Sequence, residues 1–436
     1  MTQRYDTYKD SGVQWLGEIP GHWECTSLGR VLYEKLQYGA SESGDLEYTN
    51  DSMRYIRITD ITLDGKLKKD CCKYLSSEIG KNYPVRKGDV LLARSGATVG
   101  KAFIYNEDNE ACYAGYLIKA SIQQDKVFPT FFFYFTQTSQ YDEWKNRIFI
   151  QATIQNISAE KYTRMKLCIP PLSEQHSIVS FLDAKCGKID EWVTKKQKEV
   201  EHLQELKQRV IADAVTRGLN PHVKMKTTNI PWIKEIPEHW ERNKVLRLFK
   251  QIGSGTTPSS GDASLYADEG TPWLQSGDFN NNEINSTSKF LTDKALDNYS
   301  LKLYNSGGVV IAMYGASIGK VGLLNIATTV NQACCVLSDS DHLLQKFSFY
   351  VFINEKDNLV KKSKGGTQPN ISQEIIKSHY IPVPPLSEQR SIVSYLDAKC
   401  SKIDKLIANI TKEIECIKEY KQRLISDVVT GQIKVC

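Results

Sequence analysis

The sequence predicts an α+β chain. Two mixed α/β domains are joined by two long helices forming an antiparallel coiled coil, and the whole is an internal pseudo-two-fold repeat. Three observations lead there: a repeat of about 215 residues, two long proline-free stretches with apolar periodicity at equivalent places, and strand-like segments in both regions between. The expected boundaries are 1–171 for the first domain and 172–217 for its helix, then 218–385 and 386–436 for the second pair. At roughly 100–200 residues per domain, 436 residues hold two to four domains.

The repeat is read directly from the rows. Trp15-Leu16-Gly17-Glu18-Ile19-Pro20-Gly21-His22-Trp23-Glu24 is echoed by Trp232-Ile233-Lys234-Glu235-Ile236-Pro237-Glu238-His239-Trp240-Glu241. PPLSEQHSIVSFLDAKCGKID, Pro170 to Asp190, is echoed by PPLSEQRSIVSYLDAKCSKID, Pro384 to Asp404, with 18 of 21 positions identical. Between these blocks, residues 25–169 and 242–383 share only scattered matches. One framework is kept and two inner regions have diverged, so two copies of one device address two different things.

The near-identical blocks open the helices. Proline disfavours helix in the residue before it, so Pro170-Pro171 ends an extended segment; Ser173 is the expected cap and Glu174 suits the first turn. The first helix runs to about Arg217 with Gly218 as its stop, and the second from about Leu386 to Thr430 with Gly431 as its stop. Ile403, Ile407, Ile410, Ile414, Ile417, Leu424 and Val428 step by four and three, with Lys421 in a polar slot. Ile189, Val193, Val200, Leu203, Val210 and Ala214 do the same, with Lys196 and Lys207 in polar slots. Each helix is about 45 residues, roughly 65 Å long. Acids and bases balance along both, which suits a spacer or docking surface better than a grip on DNA.

Composition narrows the classes. The net charge of +5 permits nucleic-acid binding without demanding it. The 11 cysteines include the adjacent pairs Cys71-Cys72 and Cys334-Cys335 and no C-x-x-C, which fits neither zinc nor a disulfide framework; free thiols in a reducing cytoplasm are expected. The apolar patch at Phe131–Phe135 is far short of the ~20 residues that span a bilayer, so a cytoplasmic location is expected.

Strands are expected at Tyr55–Ile58, Val90–Ala93, Lys101–Tyr105 and Val309–Met313, and helix at Thr130–Arg147 and Gln345–Lys361. With the paired WLGEIPGHWE and WIKEIPEHWE segments and the paired PPLSEQ helices, the whole chain resembles the specificity subunits of type I restriction-modification systems. The resemblance implies two target recognition domains, each reading one half of a split site in double-stranded DNA. It implies helices that set the spacing and dock two modification (methyltransferase) subunits, and further restriction (motor-nuclease) subunits. It implies no catalytic site and no bound cofactor on this chain; S-adenosylmethionine, ATP and Mg belong to the partners. Adenine methylation and ATP-dependent cleavage are then directed by a non-catalytic reader. A related type II system with a fused nuclease-methyltransferase, or a coiled-coil adaptor with no DNA role, are the alternatives.

Sequence readers need forked donors and acceptors: Arg for guanine, Gln or Asn for adenine. Arg57 and Gln275, followed by Ser276, occupy equivalent strand ends. Arg94, Ser95, Thr98 and Lys101 lie on a Gly-containing loop whose echo carries Tyr314, Ser317 and Lys320; glycines let backbone approach a phosphate. The polar loops Gln151, Thr153, Gln155, Asn156 and Lys364, Thr367, Gln368, Asn370 precede the long helices. His22-Trp23, His239-Trp240, Trp15 and Trp232 recur in the framework and are expected to pack. No N/D-P-P-Y/F string of an adenine methyltransferase occurs, the Gly loops lack the P-loop spacing, and Asp142-Glu143-Trp144-Lys145 reads as helix rather than nuclease.

Overall fold

The computed structural model describes residues 3–44, 47–62, 67–68, 70, 72–96, 98–150, 155–363 and 369–435. The chain divides into two compact units: 1–197 with 411–436, and 198–410. The division falls inside both long helices, so each unit owns one end of each.

In the first unit, the strands Gln37–Tyr38, Leu117–Ala120, Val90–Ala93 and Ala102–Ile104 form an antiparallel sheet in that order. A second sheet orders Lys73–Ser76, Ser52–Ile56, Ala111–Tyr113 and Pro84–Val85; its middle pair is parallel. Val90–Ala93 is buried throughout, and alternate residues face opposite ways. Val90 and Leu92 join the core formed by Phe131, Phe132, Ile178 and Leu182, whereas Leu91 and Ala93 join Ile56, Phe103 and Tyr113. This strand ties the sheets to the long helix.

The second unit repeats the plan. Val309–Ala312 is buried throughout: Val309 and Ile311 face Phe347, Phe352, Ile392 and Leu396, and Val310 and Ala312 face Leu274 and Val330. Its larger sheet has five strands, through the addition of Asn282–Ile284 parallel to Val321–Leu324. Its smaller sheet again holds one parallel pair, Thr271–Leu274 with Thr329–Val330.

The long helices span Leu172–Arg217 and Leu386–Val429. The first begins before Ser173, so that residue is not its cap; the amides of Glu174 and Gln175 bond to the Pro171 carbonyl instead. Gly218 and Gly431 adopt φ of 75° and 76°, the left-handed turn that stops a helix after its last carbonyls. Within the first unit Lys421 reaches Asp190 at 2.6 Å and Lys196 reaches Glu413 at 3.9 Å. Within the second unit Lys207 reaches Asp404 at 2.7 Å. Residue numbers rise on one helix as they fall on the other, so the pairing is antiparallel, and the three polar slots of the heptads meet acids across the seam. Val193, Ile403, Ile410, Ile414, Leu424 and Val428 are buried along it.

Two further expectations are corrected. Thr130–Arg147 is two helices, Pro129–Phe135 and Ser139–Ile150. Thr138 Oγ1 donates to the Phe135 carbonyl and accepts from the Tyr141 amide, so side-chain bonds replace the backbone ladder at the break. The cysteines are not all free thiols: Cys25 and Cys168 form a disulfide. They stand directly opposite in the antiparallel ladder of Glu24–Ser27 with Lys166–Ile169, their Cα atoms 4.2 Å apart. A sequence separation of 143 residues hid this pairing. Cys334 and Cys335 are free as expected; Cys71 lies outside the described residues.

Candidate nucleic-acid interface

The framework residues lock each variable region onto a helix start. Trp23 is fully buried, and its indole N–H donates to Glu174 Oε1 at 3.1 Å; His22 lies 2.8 Å from Oε2, and the Tyr5 hydroxyl donates to the same carboxylate. Trp240 and His239 hold Glu388 in the same way, at 2.8 and 2.5 Å. The next residue is equally committed. Gln175 accepts from the Phe128 amide and donates to the carbonyls of Lys126 and Pro170. Gln389 accepts from Leu344 and donates to His342 and Pro384. Trp15 packs on Phe135, and Trp232 stacks on His379 with ring centroids 4.8 Å apart. These repeated residues are structural, as their recurrence implied.

The variable residues gather at one edge of each pair of sheets, brought there by the same backbone bonds. Ala114 N donates to Ile56 O, Arg94 N to Tyr116 O, and Ile157 N to Arg94 O. In the second unit Asn331 N donates to Leu274 O, Met313 N to Ala333 O, and Ile371 N to Met313 O. Bridges Ser95–Asn156 and Tyr314–Asn370 complete the parallel. Three loops therefore converge in each unit: the strand end at Arg57 or Gln275, the Gly loop after Ala93 or Ala312, and the segment before the short helix leading to the framework ladder.

On this common backbone the side chains differ. The amides of Arg57 and Gln275 both donate to the aspartate three residues on, Asp60 and Asp278, at 2.9 and 2.8 Å. The Arg57 guanidinium then grips Asp60 through Nε and Nη2 at 3.2 and 2.8 Å, whereas Asp278 accepts from Ser288. Arg94 lies over the Tyr38 ring, 4.7 Å from its centroid; the equivalent Met313 is buried. Ser95 gives way to Tyr314, whose hydroxyl is pushed above its ordinary pKa chiefly by burial. An open cleft of about 610 Å³ lies between the converging loops of the first unit, lined by Ala40, Gly44, Tyr55, Arg57, Arg94 and Tyr116 among others.

The Gly loops are tight turns. Gly96, Gly100, Gly315 and Gly319 have φ between 73° and 81°. A Cβ on Gly100 would strike Lys145, and one on Gly319 would meet Lys356 and Val360; Gly96 and Gly315 face open space. Thr98 and Ser317 are half-buried, and their carbonyls accept from the amides of Lys101 and Lys320. Lys101 Nζ donates to Thr62 O at 2.7 Å, tying this loop to the segment after Arg57. Gln155 and Asn370 are exposed, and Ser276 and Lys320 half-buried. Gln151, Thr153, Lys364, Thr367 and Gln368 lie outside the described residues.

Sequence reading did not single out Tyr38, exposed Tyr116 or the turns Ala114–Tyr116 and Asn331–Ala333, because their partners are distant in the chain. The stretch Asp142–Lys145 is helical: Lys145 pairs with Asp142 at 2.6 Å and Trp144 is buried, so it offers no nuclease geometry. No described helix is long and apolar enough to cross a membrane, and among the described residues no group of three or more His, Cys, Asp or Glu could hold a metal ion.

A family model, type I restriction modification DNA specificity domain, matches residues 23–202 and again 237–416. The type I restriction enzyme MjaVIII specificity subunit of Methanocaldococcus jannaschii is 25% identical over 432 residues, 96% of this chain and 94% of that protein. The EcoBI specificity subunit of Escherichia coli is 21% identical over 410 residues, covering 90% and 83%. Among solved structures, a chain from work on complex assembly and conformational transition of the type I R-M system superposes with a TM-score of 0.72. The match has 19% identity and covers 94% of this chain and 98% of that one. The HsdS subunit of Thermoanaerobacter tengcongensis gives 0.50 at 18% identity, over 95% and 98%.

Proposed function

Because the chain belongs to the type I restriction modification DNA specificity domain family, we propose that it is the non-catalytic DNA-reading subunit of a type I restriction-modification complex. Each variable domain takes one half of an asymmetric, bipartite site in double-stranded DNA. Two modification subunits methylate adenine there with S-adenosylmethionine, and restriction subunits add cleavage driven by ATP and Mg. The chain works in the cytoplasm, where its DNA is. One observation supports this reading above the rest: two units share the backbone bonds that gather three loops, yet present Arg57 against Gln275, Arg94 against Met313 and Ser95 against Tyr314. Equal scaffolds with unequal donors are what two readers of different sequences require. A packing adaptor has no use for that divergence.

The test is single-base methylation mapping in a host expressing this chain with its modification subunit. A split, asymmetric motif with modified adenine on both strands is expected. An assembled complex that writes no motif overturns the proposal.

A further inference from the structure

We infer that Arg94 is a specificity-determining residue of the first domain: its guanidinium, with Arg57 across the same cleft, reads the major-groove edge of a guanine. This deepens the function proposed above and rests on it. Three observations carry it.

First, Arg94 is held as a reader must be. It leaves the end of the Val90–Ala93 strand, its guanidinium carbon lies over the Tyr38 ring, and its amide and carbonyl are both bonded to neighbouring loops. Its Nε is buried and has no hydrogen-bond partner among the described residues. A buried donor left unpaired costs stability, and such a group marks a place where a partner arrives. Asn156 Oδ1, on the segment bridged to Ser95, is likewise buried without a partner among the described residues.

Second, Arg57 faces the same cleft with its guanidinium oriented by two bonds to Asp60. A carboxylate that fixes an arginine rotamer removes the entropy a flexible side chain would lose on docking.

Third, the charge of the cleft suits a base better than a phosphate. Glu42 lines it and Asp60 adjoins it, so two acids offset two arginines. A phosphate entering there meets carboxylate repulsion; a guanine edge is uncharged and offers O6 and N7 as paired acceptors to a forked donor. The second domain has Met313 and Gln275 at the equivalent positions and so has no such pair.

The test is methylation mapping of the assembled complex with Arg94→Met, the residue the second domain already carries there. One guanine position in one half-site should become degenerate, its discrimination falling from roughly 10- to 100-fold to within a few-fold, with every other position unchanged. Met313→Arg should alter preference in the other half-site alone. Arg94→Lys, which keeps the charge and loses the fork, should relax the same position, and it replaces Arg94→Met if that variant does not assemble. The inference is overturned if the motif is unaltered. It is also overturned if methylation weakens evenly at all sequences while the slope of binding against salt drops by about one, the mark of a phosphate contact. A wild-type complex that writes no motif refutes the reading of the whole chain instead.

Discussion

Gln175 and Gln389 show how much one side chain settles. Each is fully buried and bonds an amide and two carbonyls from two chain segments. Alanine leaves those backbone groups without partners, so Gln175→Ala is expected to destabilise the first unit by about 2–4 kcal/mol, lowering its melting transition by several degrees. Gln389→Ala should do the same to the second; calorimetry on both variants checks the symmetry. The glutamines were visible in the sequence only as part of an identical block. Their role was hidden because Phe128 and Leu344, whose amides they bind, sit in the regions that diverged. Arg57 and Gln275 were legible as equivalent donors, but the side-chain grip of Asp60 on one and not the other depends on how the turn after each strand folds.

At the scale of elements, the long helices were the most legible part, since heptad spacing and the absence of proline are local signals. Their polar slots were legible as positions and not as pairs. Lys421 and Asp190 are partly exposed, at 24% and 49% of their side-chain surfaces. Solvent screening leaves such pairs little net energy, so Lys421→Met should change stability by no more than about 1 kcal/mol, as denaturant titration will show. A different bond ties the Asn282–Ile284 strand to the second long helix: Lys346 joins Glu283 at 2.8 Å and Asp397 at 3.1 Å. The Glu283 carboxyl is held below the ordinary carboxylate range, first by the bond from Lys346 and then by that from Asn325. A depressed pKa contributes stability that is complete at neutral pH and fades as pH falls below about 4.5 through the folded-state value. Melting curves from pH 6 to 3 should therefore drop more steeply for the wild type than for Glu283→Gln. The short strands were the least legible elements, because two- and three-residue segments carry no periodicity and are set by their partners.

For the molecule as a whole, the repeat predicted two similar units, and each unit indeed has two larger sheets and one framework ladder, with one parallel strand pair in the first unit and two in the second. The sheet orders were beyond sequence, as were the cross-chain bonds that gather the candidate site, since both join residues tens of positions apart. On the proposed function, replacing residues 25–169 with another variable region should change one half of the methylated motif and leave the other half intact. Mapping that changes both halves would remove the two-reader account.

The sockets formed by Glu174 with Gln175 and by Glu388 with Gln389 have a genetic consequence. The two stretches encode nearly the same residues, about 215 positions apart, and hold their domains through the same bonds. A crossover between two alleles within either stretch keeps the reading frame and the register, and it delivers an intact variable domain to a seat already shaped for it. New pairings of domains can thus arise by exchange of whole cassettes, with no need for either core to be re-evolved.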